Sequence, residues 1–281
     1  MSYYPLRYLS SGHIFIGADD DCHAVVDRML EINYSEEFCV ARDFTRDFIS
    51  RLMAAGFLVM STEIVDDIDD VNDVEDTDDA KDLSDEREAA SKDARAEGKF
   101  RFFILLPKLH LVRSVLFFDD LHIKKSIRRF LPLYELRVNS DFDRILGKCI
   151  SIHGEDWLTP PLVDALASLH KESLEIQAEP ASVSFAVYRD GELKAGEIGV
   201  IVGKVYTSYS GYHEEDNAGT VQMILMAQWL QQAGFAFLDF GMPLDYKTDL
   251  GALDSSPERF VEIFRAAQKL DGTNVPLTSS S

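Results

Sequence analysis

The hydrophobic and polar positions along the chain change period several times, and the first half alternates between strand and helix patterns. HIFIGA, at residues 13–18, alternates as a short strand, and DDDCHAVVDRMLEI after it begins with acidic capping residues and continues at helical spacing. TRDFISRLMAA, at residues 45–55, places its apolar side chains on one face of a helix that stops at Gly56. Apolar runs then predict strands in GFLVMSTEI, in KFRFFILLP (residues 99–107) and at residues 112–118.

From residue 182 the pattern changes to period two, which is typical of β-strands. Strands are predicted at residues 183–188, 193–202 and 204–209. The turn residues Arg189-Asp190-Gly191 and the glycine at position 203 separate them. The segment is therefore predicted to form an antiparallel meander.

Helices surround this meander. One begins at Thr159, with two prolines in its first turn, where their missing N–H groups cost nothing. A second helix covers about residues 218–232 and is followed by the strand FAFLDFG and by a closing helix that Ser256 opens. This order predicts an α+β fold of the acetyltransferase-like (GNAT-type) class, in which a mixed sheet is flanked by helices and joined by a smaller N-terminal α/β subdomain.

The composition changes sharply in one segment. Residues 66–97 contain fifteen acids and four bases and almost no large apolar residue, so we expect a disordered or partly helical surface insertion. An acidic docking segment or a calcium loop is the alternative, although the Gly and the terminal Glu of an EF-hand are absent. We predict an N-terminal subdomain interrupted by this insert, an acetyltransferase-like domain and a flexible tail, at residues 1–64 with 99–150, at 151–270 and at 271–281, with the insert at 65–98.

The formal net charge of −21 argues against a nucleic-acid partner, because clustered Lys and Arg side chains bind phosphates. The acidic insert carries about half of that charge, however, and a compact basic cluster lies outside it. LHIKKSIRRFL gathers four cations on one side of a short predicted helix: Lys124, Lys125, Arg128 and Arg129. This side is either a solvated helix face or a surface that contacts phosphates.

Other features restrict location and chemistry. No apolar run approaches the roughly 18 to 20 residues of a membrane span, and the N-terminus lacks a signal-peptide pattern, so we expect a cytoplasmic protein without a membrane partner. The three cysteines lie outside any Cys-x-x-Cys pair and are predicted to be reduced and buried. His213-Glu214-Glu215-Asp216 offers metal-binding side chains, but no second cluster matches it, so we expect a solvated loop and no metal.

LDFGMPLDYKTDLGA places an Asp-Phe-Gly triplet at the end of an apolar run. In a protein kinase this triplet holds magnesium, but the glycine-rich loop, the Val-Ala-Ile-Lys strand and the His-Arg-Asp loop are absent here. Asp239 is therefore either a cap at a strand end or a site carboxylate. His110 and His122 are expected to serve structure rather than catalysis.

Aromatic and amide side chains supply further candidates. Tyr206, Tyr209 and Tyr212 crowd one segment and either line a pocket or pair across strands. Trp157 is either a core aromatic or a platform for a ring of a ligand. Asn217 is the predicted N-cap of the helix that follows it.

Five motifs, taken in order, resemble the leucyl/phenylalanyl-tRNA–protein transferase family. AGFLVM lies where the family has a Gly-Ile-Phe-Pro-Trp segment, and RSVLFFDDLHIKKSIRR is similar to its Arg-x-Val-Leu-Phe and Asp-x-Leu-His-x-x-x-Ser-x-Arg patterns. DWLTP and GKVYTSYSGYHEEDNAGT resemble its next two motifs. Asp239-Phe240-Gly241 and Leu250-Gly251-Ala252 resemble its Asp-Cys-Gln strand end and its Leu-Gly-Ala turn.

The resemblance implies a reaction and its substrates. The family moves an amino acid, typically Leu or Phe, from aminoacyl-tRNA to the N-terminal amine of a protein, which then enters N-degron-dependent degradation. Aminoacyl-tRNA is a co-substrate, a protein or peptide N-terminus is the partner, and no cofactor is implied. The resemblance assigns catalysis to Asp239 and Tyr209, substrate binding to Trp157, Tyr206, Ser210, Tyr212, Asn217 and Gly241, and tRNA binding to Lys124, Lys125, Arg128 and Arg129.

The sequence departs from the family at three of these places. Tyr209 stands where the family has Glu, Gly241 stands where it has Gln, and Leu58 to Met60 replace an aromatic pair around a Pro. Since a phenol with a pKa near 10 does not act as a carboxylate at neutral pH, the family's mechanism does not transfer whole.

Two other functions therefore stay open. The lost Glu and Gln favour a catalytically silent relative that binds tRNA or a protein. A coenzyme-A-dependent acyltransferase is disfavoured, because no Arg/Gln-x-x-Gly-x-Gly/Ala run offers backbone N–H groups to a pyrophosphate. The oligomeric state is not indicated by the sequence.

Overall fold

The protein is described by a computed structural model that covers residues 4–67, 99–154, 156–176 and 180–270. Most of the predicted acidic insert and the predicted tail lie outside the described residues. Within these ranges, no helix has the length and apolar character that a membrane span requires. The three cysteines are free and buried, as predicted.

The N-terminal elements follow the sequence pattern. A two-stranded pair, β1 (Arg7–Tyr8) and β2 (Ile14–Phe15), is followed by the helices α1 (Cys22–Glu31) and α2 (Arg46–Ala55). The Asp21 carboxylate caps α1, because it accepts hydrogen bonds from two backbone N–H groups of the first turn at 3.0 and 3.2 Å. Both helices begin and end as predicted, whereas the first predicted strand is reduced to two residues.

A two-stranded antiparallel ribbon flanks the acidic insert. It pairs β3 (Leu58–Asp67) with β4 (Lys99–Lys108), so that Asp67 lies opposite Lys99 and Leu58 lies opposite Lys108. The two apolar strands predicted around the insert are confirmed. Asp67 and Lys99, which flank the insert, are therefore neighbours across the ribbon.

The remaining elements build a seven-stranded mixed sheet flanked by helices. In chain order they are β5 (Arg113–Leu116), α3 (Lys125–Arg128), β6 (Glu135–Val138), α4 (Phe142–His153), α5 (Pro160–Ile176), β7 (Ala181–Arg189), β8 (Glu192–Val202), β9 (Val205–His213), α6 (Ala218–Gln232), β10 (Phe237–Asp239), α7 (Asp245–Asp249), β11 (Leu253–Ser255) and α8 (Pro257–Gln268). The strand order is β11-β5-β10-β9-β8-β7-β6, and β10 runs parallel to β9. The α+β class with a mixed sheet is confirmed, and so is the predicted meander.

Two apolar cores cover the two faces of this sheet. One core packs α6 against inward-facing side chains such as Phe185 and Tyr206. The other contains side chains of α1, α2, α4, α5 and α8. The strands β5 and β6, which come from the segment before residue 150, pair with strands from the segment after it. The predicted boundary at residue 150 therefore crosses one continuous sheet.

The sheet opens between its two parallel strands. β10 pairs with β9 only from Phe237 to Asp239, opposite Val205 to Thr207, and β9 then continues to His213 beside β8 alone. A bulge at Tyr209 shifts the register of β9 against β8 at this point. The strands part beyond Asp239, and the opening positions the candidate site.

Candidate active site

A cavity of about 810 Å³ lies where β9 and β10 part. It is lined by the second half of β9, by the loop after β10 and by side chains from β3, α6 and α7. Six of the predicted site residues line it: Trp157, Tyr209, Ser210, Tyr212, Asn217 and Gly241. The sequence motifs that are far apart along the chain thus meet at one opening.

The remaining predicted residues lie elsewhere. Tyr206 and Asp239 are fully buried and lie behind the wall of the cavity rather than on its surface. The alternation of β9 directs Tyr206 into the core under α6, where it packs edge-on against Phe185. The four predicted tRNA-binding cations are exposed and outside the cavity.

Tyr209 forms part of the cavity wall at the bulge. Its hydroxyl accepts a hydrogen bond from the backbone N–H of Val59 at 3.0 Å, which links β9 to the ribbon. Burial raises the pKa of Tyr209, so the side chain is a neutral phenol at physiological pH. A neutral phenol can donate a hydrogen bond to a substrate oxygen, but it does not serve as a negative counter-ion.

Asp239 is fully engaged by groups of the protein itself. Arg113 donates from Nε at 2.8 Å and from Nη2 at 2.6 Å, and the Thr207 hydroxyl and the Gly241 N–H each donate at 2.9 Å. Burial acts to raise the pKa of Asp239, but the Arg113 guanidinium and these donors outweigh it and hold the pKa below its usual value. Asp239 therefore fixes the turn at Gly241 and anchors Arg113 beneath it.

Gly241 allows the loop after β10 to close against the ribbon. Its φ of +69° lies in the left-handed region, and a Cβ there would lie 3.3 Å from a methyl group of Leu58 and 3.8 Å from Nε2 of His110. A side chain would occupy the space between this loop and its neighbours. The backbone conformation and the close packing of this loop therefore explain why a glycine ends the Asp-Phe-Gly triplet.

Glu197, a buried residue of β8 that was not predicted from the sequence, also lines the cavity. Its Oε1 accepts a hydrogen bond from the Tyr206 hydroxyl, and its Oε2 accepts one from Nε2 of Gln222, both at 3.1 Å. Burial raises the pKa of Glu197, although hydrogen bonds from Ser208, Gln222 and Tyr206 act in the opposite direction. The available signal was a single acid inside the apolar run GEIGVIV.

His110 also lines the cavity, although the sequence suggested a structural role for it. It is buried, and its Nδ1 has no hydrogen-bond partner among the described residues. Burial, assisted by the positive charges of Arg113 and Lys108, lowers the pKa of His110 to about 3. The imidazole is therefore neutral at physiological pH.

Lys247 holds the loop that forms the opposite wall. Its Nζ donates hydrogen bonds to the carbonyl oxygens of Phe240 at 2.7 Å and of Met242 at 2.8 Å. Burial lowers the pKa of Lys247, while the charges of Glu197 and Asp239 act to raise it. The ammonium group thus stabilises the backbone after β10.

Asn217 occupies the N-cap position of α6, as predicted, but its side chain makes no capping hydrogen bond. Its φ of +69° places the backbone in the left-handed region and turns the side chain away from the first helical N–H groups. The Asn217 side chain instead lines the cavity. The acidic loop before it is tied down by ion pairs such as Lys148 with Glu214 at 2.7 Å.

The basic segment is attached to the elements that line the cavity. Its predicted helix is a single turn, α3, and Nζ of Lys124 pairs with the carboxylate of Asp249 at 2.6 Å. The N–H of His122 donates to the carbonyl oxygen of Leu250 at 2.9 Å. α7 carries Lys247 into the cavity, so one short helix connects the basic segment with the site.

Gly251 makes this attachment possible. Its φ is +99°, and a Cβ there would collide with the carbonyl oxygen of Asp120. The Leu-Gly-Ala turn thus lets the chain before α3 pack directly on the turn after α7.

The described residues contain no cluster of potential metal ligands. Among them, no three His, Cys, Asp or Glu side chains come together in an arrangement that could hold an ion.

Comparison with known proteins identifies the family. The family model described as leucyl/phenylalanyl-tRNA protein transferase matches residues 115–265, more than half of the chain. A leucyl/phenylalanyl-tRNA–protein transferase of Pseudomonas fluorescens is 30% identical over 167 residues, which cover 58% of this chain and 70% of that protein. A protein of the same name from Rubrobacter xylanophilus is 27% identical over 161 residues, covering 57% and 81%.

Solved structures show only distant similarity. The C-terminal domain of a putative lysylphosphatidylglycerol synthetase from Agrobacterium fabrum has a TM-score of 0.32 and 10% identity, over 93% of this chain and 87% of that one. L-PGS from Bacillus licheniformis has a TM-score of 0.33 and 12% identity, over 94% and 89%.

The cavity, the Asp239 turn and the Leu-Gly-Ala turn all lie in or border the matched region, and the match covers the end of β5 and all of β6 to β11. The chain belongs to the leucyl/phenylalanyl-tRNA–protein transferase family.

Proposed function

We propose that this protein transfers an amino acid, Leu or Phe in type, from aminoacyl-tRNA to the N-terminal amine of a protein, which thereby becomes a substrate for N-degron-dependent degradation. One observation carries the proposal. Within the region that matches the family, the opening between β9 and β10 forms a cavity of about 810 Å³ that gathers Trp157, Tyr209, Ser210 and Asn217. No cofactor enters the proposed reaction, since aminoacyl-tRNA brings its own activated ester.

The finer fold assignment is part of this proposal. An antiparallel meander, a helix and a strand parallel to the last strand of the meander follow in order, and the two parallel strands part after a short pairing. This arrangement supports an acetyltransferase-like (GNAT-type) domain, in which the acyl donor and the acceptor meet at the opening.

The cavity offers what an ester aminolysis requires. The amine nitrogen must reach the ester carbonyl, the oxyanion must be stabilised, and both substrates must be held in line. Apolar walls from Leu58, Met60 and Met223 fit a Leu or Phe side chain, and Trp157 fits the role of a platform for the terminal adenosine. Tyr209 supplies a neutral hydrogen-bond donor, and Asp239 acts as a positioning residue through Gly241 and Arg113.

The exposed cations Lys124, Lys125, Arg128 and Arg129 are proposed to contact the phosphates of the tRNA. Their attachment to α7 supports this role, because α7 also reaches the cavity. A tRNA held there would have its backbone on the basic segment and its 3′ end toward the opening. Because aminoacyl-tRNA is the donor, we place the reaction in the cytoplasm.

Amino-acid transfer tests the proposal directly. Radiolabelled amino acids on a pool of charged tRNAs are offered with peptides that begin with Arg, Lys, Asp, Glu or Met. Asn217→Gly removes a cavity side chain without backbone strain, because glycine adopts a positive φ freely. Asn33→Gly is the matched control, since Asn33 also has a positive φ and is exposed outside the cavity.

We expect label in at least one peptide, less label with Asn217→Gly and unchanged label with Asn33→Gly. If no donor yields label although the protein still binds tRNA, the protein is a binding relative rather than a transferase. Thermal stabilisation by a coenzyme-A ester, without transfer from tRNA, would instead identify a coenzyme-A-dependent acyltransferase.

A further inference from the structure

Two buried carboxylates lie at or near the cavity, and they differ in their partners. Asp239 forms an ion pair with Arg113 and is not one of the residues that line the cavity. Glu197 lines the cavity, and its hydrogen-bond donors are the neutral side chains of Tyr206, Gln222 and Ser208. No described Lys, Arg or His nitrogen forms an ion pair with Glu197, and no other described residue that lines the cavity carries a carboxylate.

Lys247 is the nearby cation whose charge acts on Glu197, but it does not neutralise it by contact. The Lys247 ammonium donates to the carbonyl oxygens of Phe240 and Met242 instead. A carboxylate that is buried without a paired cation is costly, because desolvation penalises the charge and neutral donors compensate only in part. A ligand that brings a positive charge into the cavity would remove this penalty.

The surroundings of Glu197 hold its carboxylate in one orientation beside the cavity. Tyr206 holds one oxygen and Gln222 holds the other. Gly211, directly opposite Glu197 on β9, contributes no side chain that could cover the carboxylate. A carboxylate whose two oxygens are both fixed at the wall of a cavity is a preorganised site for an ammonium group.

We propose that Glu197 binds the α-ammonium group of the acceptor protein as its counter-ion and accepts one of its protons. This inference rests on the proposed function and names the group that recognises the acceptor. The free amine then attacks the ester carbonyl of aminoacyl-tRNA. The C–N bond forms, the bond from the carbonyl carbon to the 3′ oxygen breaks, and a second proton leaves the nitrogen and ends on that 3′ oxygen.

The raised pKa of Glu197 supports the proton step. Burial brings the pKa of the carboxyl group closer to that of an amine, which reduces the energy difference that proton transfer must overcome. A carboxylate in water would be a much weaker base toward the same ammonium group.

Three variants test the assignment. Glu197→Gln keeps the size of the side chain and removes the charge, Glu197→Asp keeps the charge at a shorter reach, and Glu192→Gln removes an exposed glutamate of the same strand as a matched control. Transfer is measured with the peptide varied at fixed aminoacyl-tRNA and with aminoacyl-tRNA varied at fixed peptide. Thermal unfolding verifies that each variant is folded.

We expect Glu197→Gln to lower kcat/KM for the peptide about 100-fold or more and to leave KM for aminoacyl-tRNA within about twofold. Glu197→Asp is expected to restore part of this loss, and Glu192→Gln to match the wild type. A folded Glu197→Gln protein with wild-type kinetics, or one in which KM for aminoacyl-tRNA rises as much as KM for the peptide, would overturn the assignment.

Calorimetric binding separates this inference from the proposed function. The probes are one peptide that begins with Arg, with a free amino terminus, and the same peptide with an acetylated terminus. Binding of the free form that is lost on acetylation and lost in Glu197→Gln supports the site even if no amino acid is transferred. Equal binding of both forms, or binding that Glu197→Gln does not weaken, contradicts it even in an active transferase.

Discussion

At the scale of single residues, Asp239 and Arg113 form a fully buried pair in which each charge depends on the other. Removing the charge of Asp239 leaves the guanidinium of Arg113 desolvated and unpaired. We expect Asp239→Asn to lower the free energy of unfolding by about 3 to 5 kcal/mol, measured by urea denaturation.

The double variant Asp239→Asn with Arg113→Met is the control, because it removes both charges together. It should recover a large part of the loss, since no unpaired charge remains. Equal destabilisation by the single and the double variant would show that the packing of these side chains, rather than the charge of Arg113, determines the effect.

The neutral state of His110 links stability to pH. Its pKa is about 3 in the folded protein and 6.5 for an ordinary histidine, so the unfolded chain binds a proton in this window that the folded chain does not. The contribution of neutral His110 to the free energy of unfolding is fully present above pH 6.5. It is lost as the pH falls toward 3, at up to about 1.4 kcal/mol per pH unit. Urea denaturation across this window measures the slope.

His110→Gln should reduce that slope by the part due to this residue. The remaining slope includes His170, whose pKa is also lowered by burial, so His170→Gln serves as a comparison at a site outside the cavity. If the free energy of unfolding of His110→Gln has the same pH slope as that of the wild type, His110 is protonated over the same pH range in the folded and the unfolded chain.

At the scale of elements, the turn at Gly251 joins the basic segment to α7. Alanine there would combine an unfavourable positive φ with a collision against the Asp120 carbonyl oxygen. Gly191→Ala is the matched control, because Gly191 has a φ of +79° and open space around it. We expect Gly251→Ala to cost about 2 kcal/mol more than Gly191→Ala in urea denaturation and to weaken tRNA binding, which Gly191→Ala should leave unchanged.

Loss of stability without loss of tRNA affinity would contradict the role proposed for the basic segment. The affinity is measured at a fixed, stated salt concentration, because phosphate contacts weaken as salt rises.

Most helices and strands could be predicted from local sequence patterns, whereas the long-range pairing of strands could not. α1 was predictable from the acidic cap before it and its apolar face, and α2 from its apolar face and the glycine that ends it, because these signals lie within a few residues of each helix. The β7–β9 meander was predictable from its alternation and its turns. The places of β5 and β6 were not, because their partner strands lie in a distant part of the chain.

The candidate site shows the same limit. Trp157, Tyr209 and Asn217 could be found through family motifs, and the structure brings them to one cavity. The partner of Asp239 is 126 residues away in the sequence, so no local pattern indicated that this carboxylate is already satisfied. Glu197 carried a weak signal, since a single acid in an apolar strand does not reveal whether it faces a cavity.

At the scale of the whole molecule, one sheet connects the segments before and after residue 150, and the two faces of the sheet carry the two tryptophans. Trp157 packs against the core that contains α2 and α5, and Trp229 packs against the core beneath α6. Each of the variants Trp157→Phe and Trp229→Phe retains one tryptophan, in one of the two cores. We expect the urea midpoint from fluorescence, taken relative to the midpoint from circular dichroism of the same variant, to be equal in the two variants.

Within one variant, fluorescence and circular dichroism should give coincident transitions, since the sheet is shared. Transitions that separate consistently would instead show that the two cores unfold independently and would support a division into two domains.

The antiparallel pairing of Asp67 with Lys99 means that the acidic segment begins and ends at adjacent positions. Because its two ends are paired, the length of this segment does not affect the distance between any other elements of the fold. Evolution could lengthen, shorten or replace it without moving a single strand of the central sheet, and a protein engineer could exchange it for a tight hairpin turn or graft a sensor domain there.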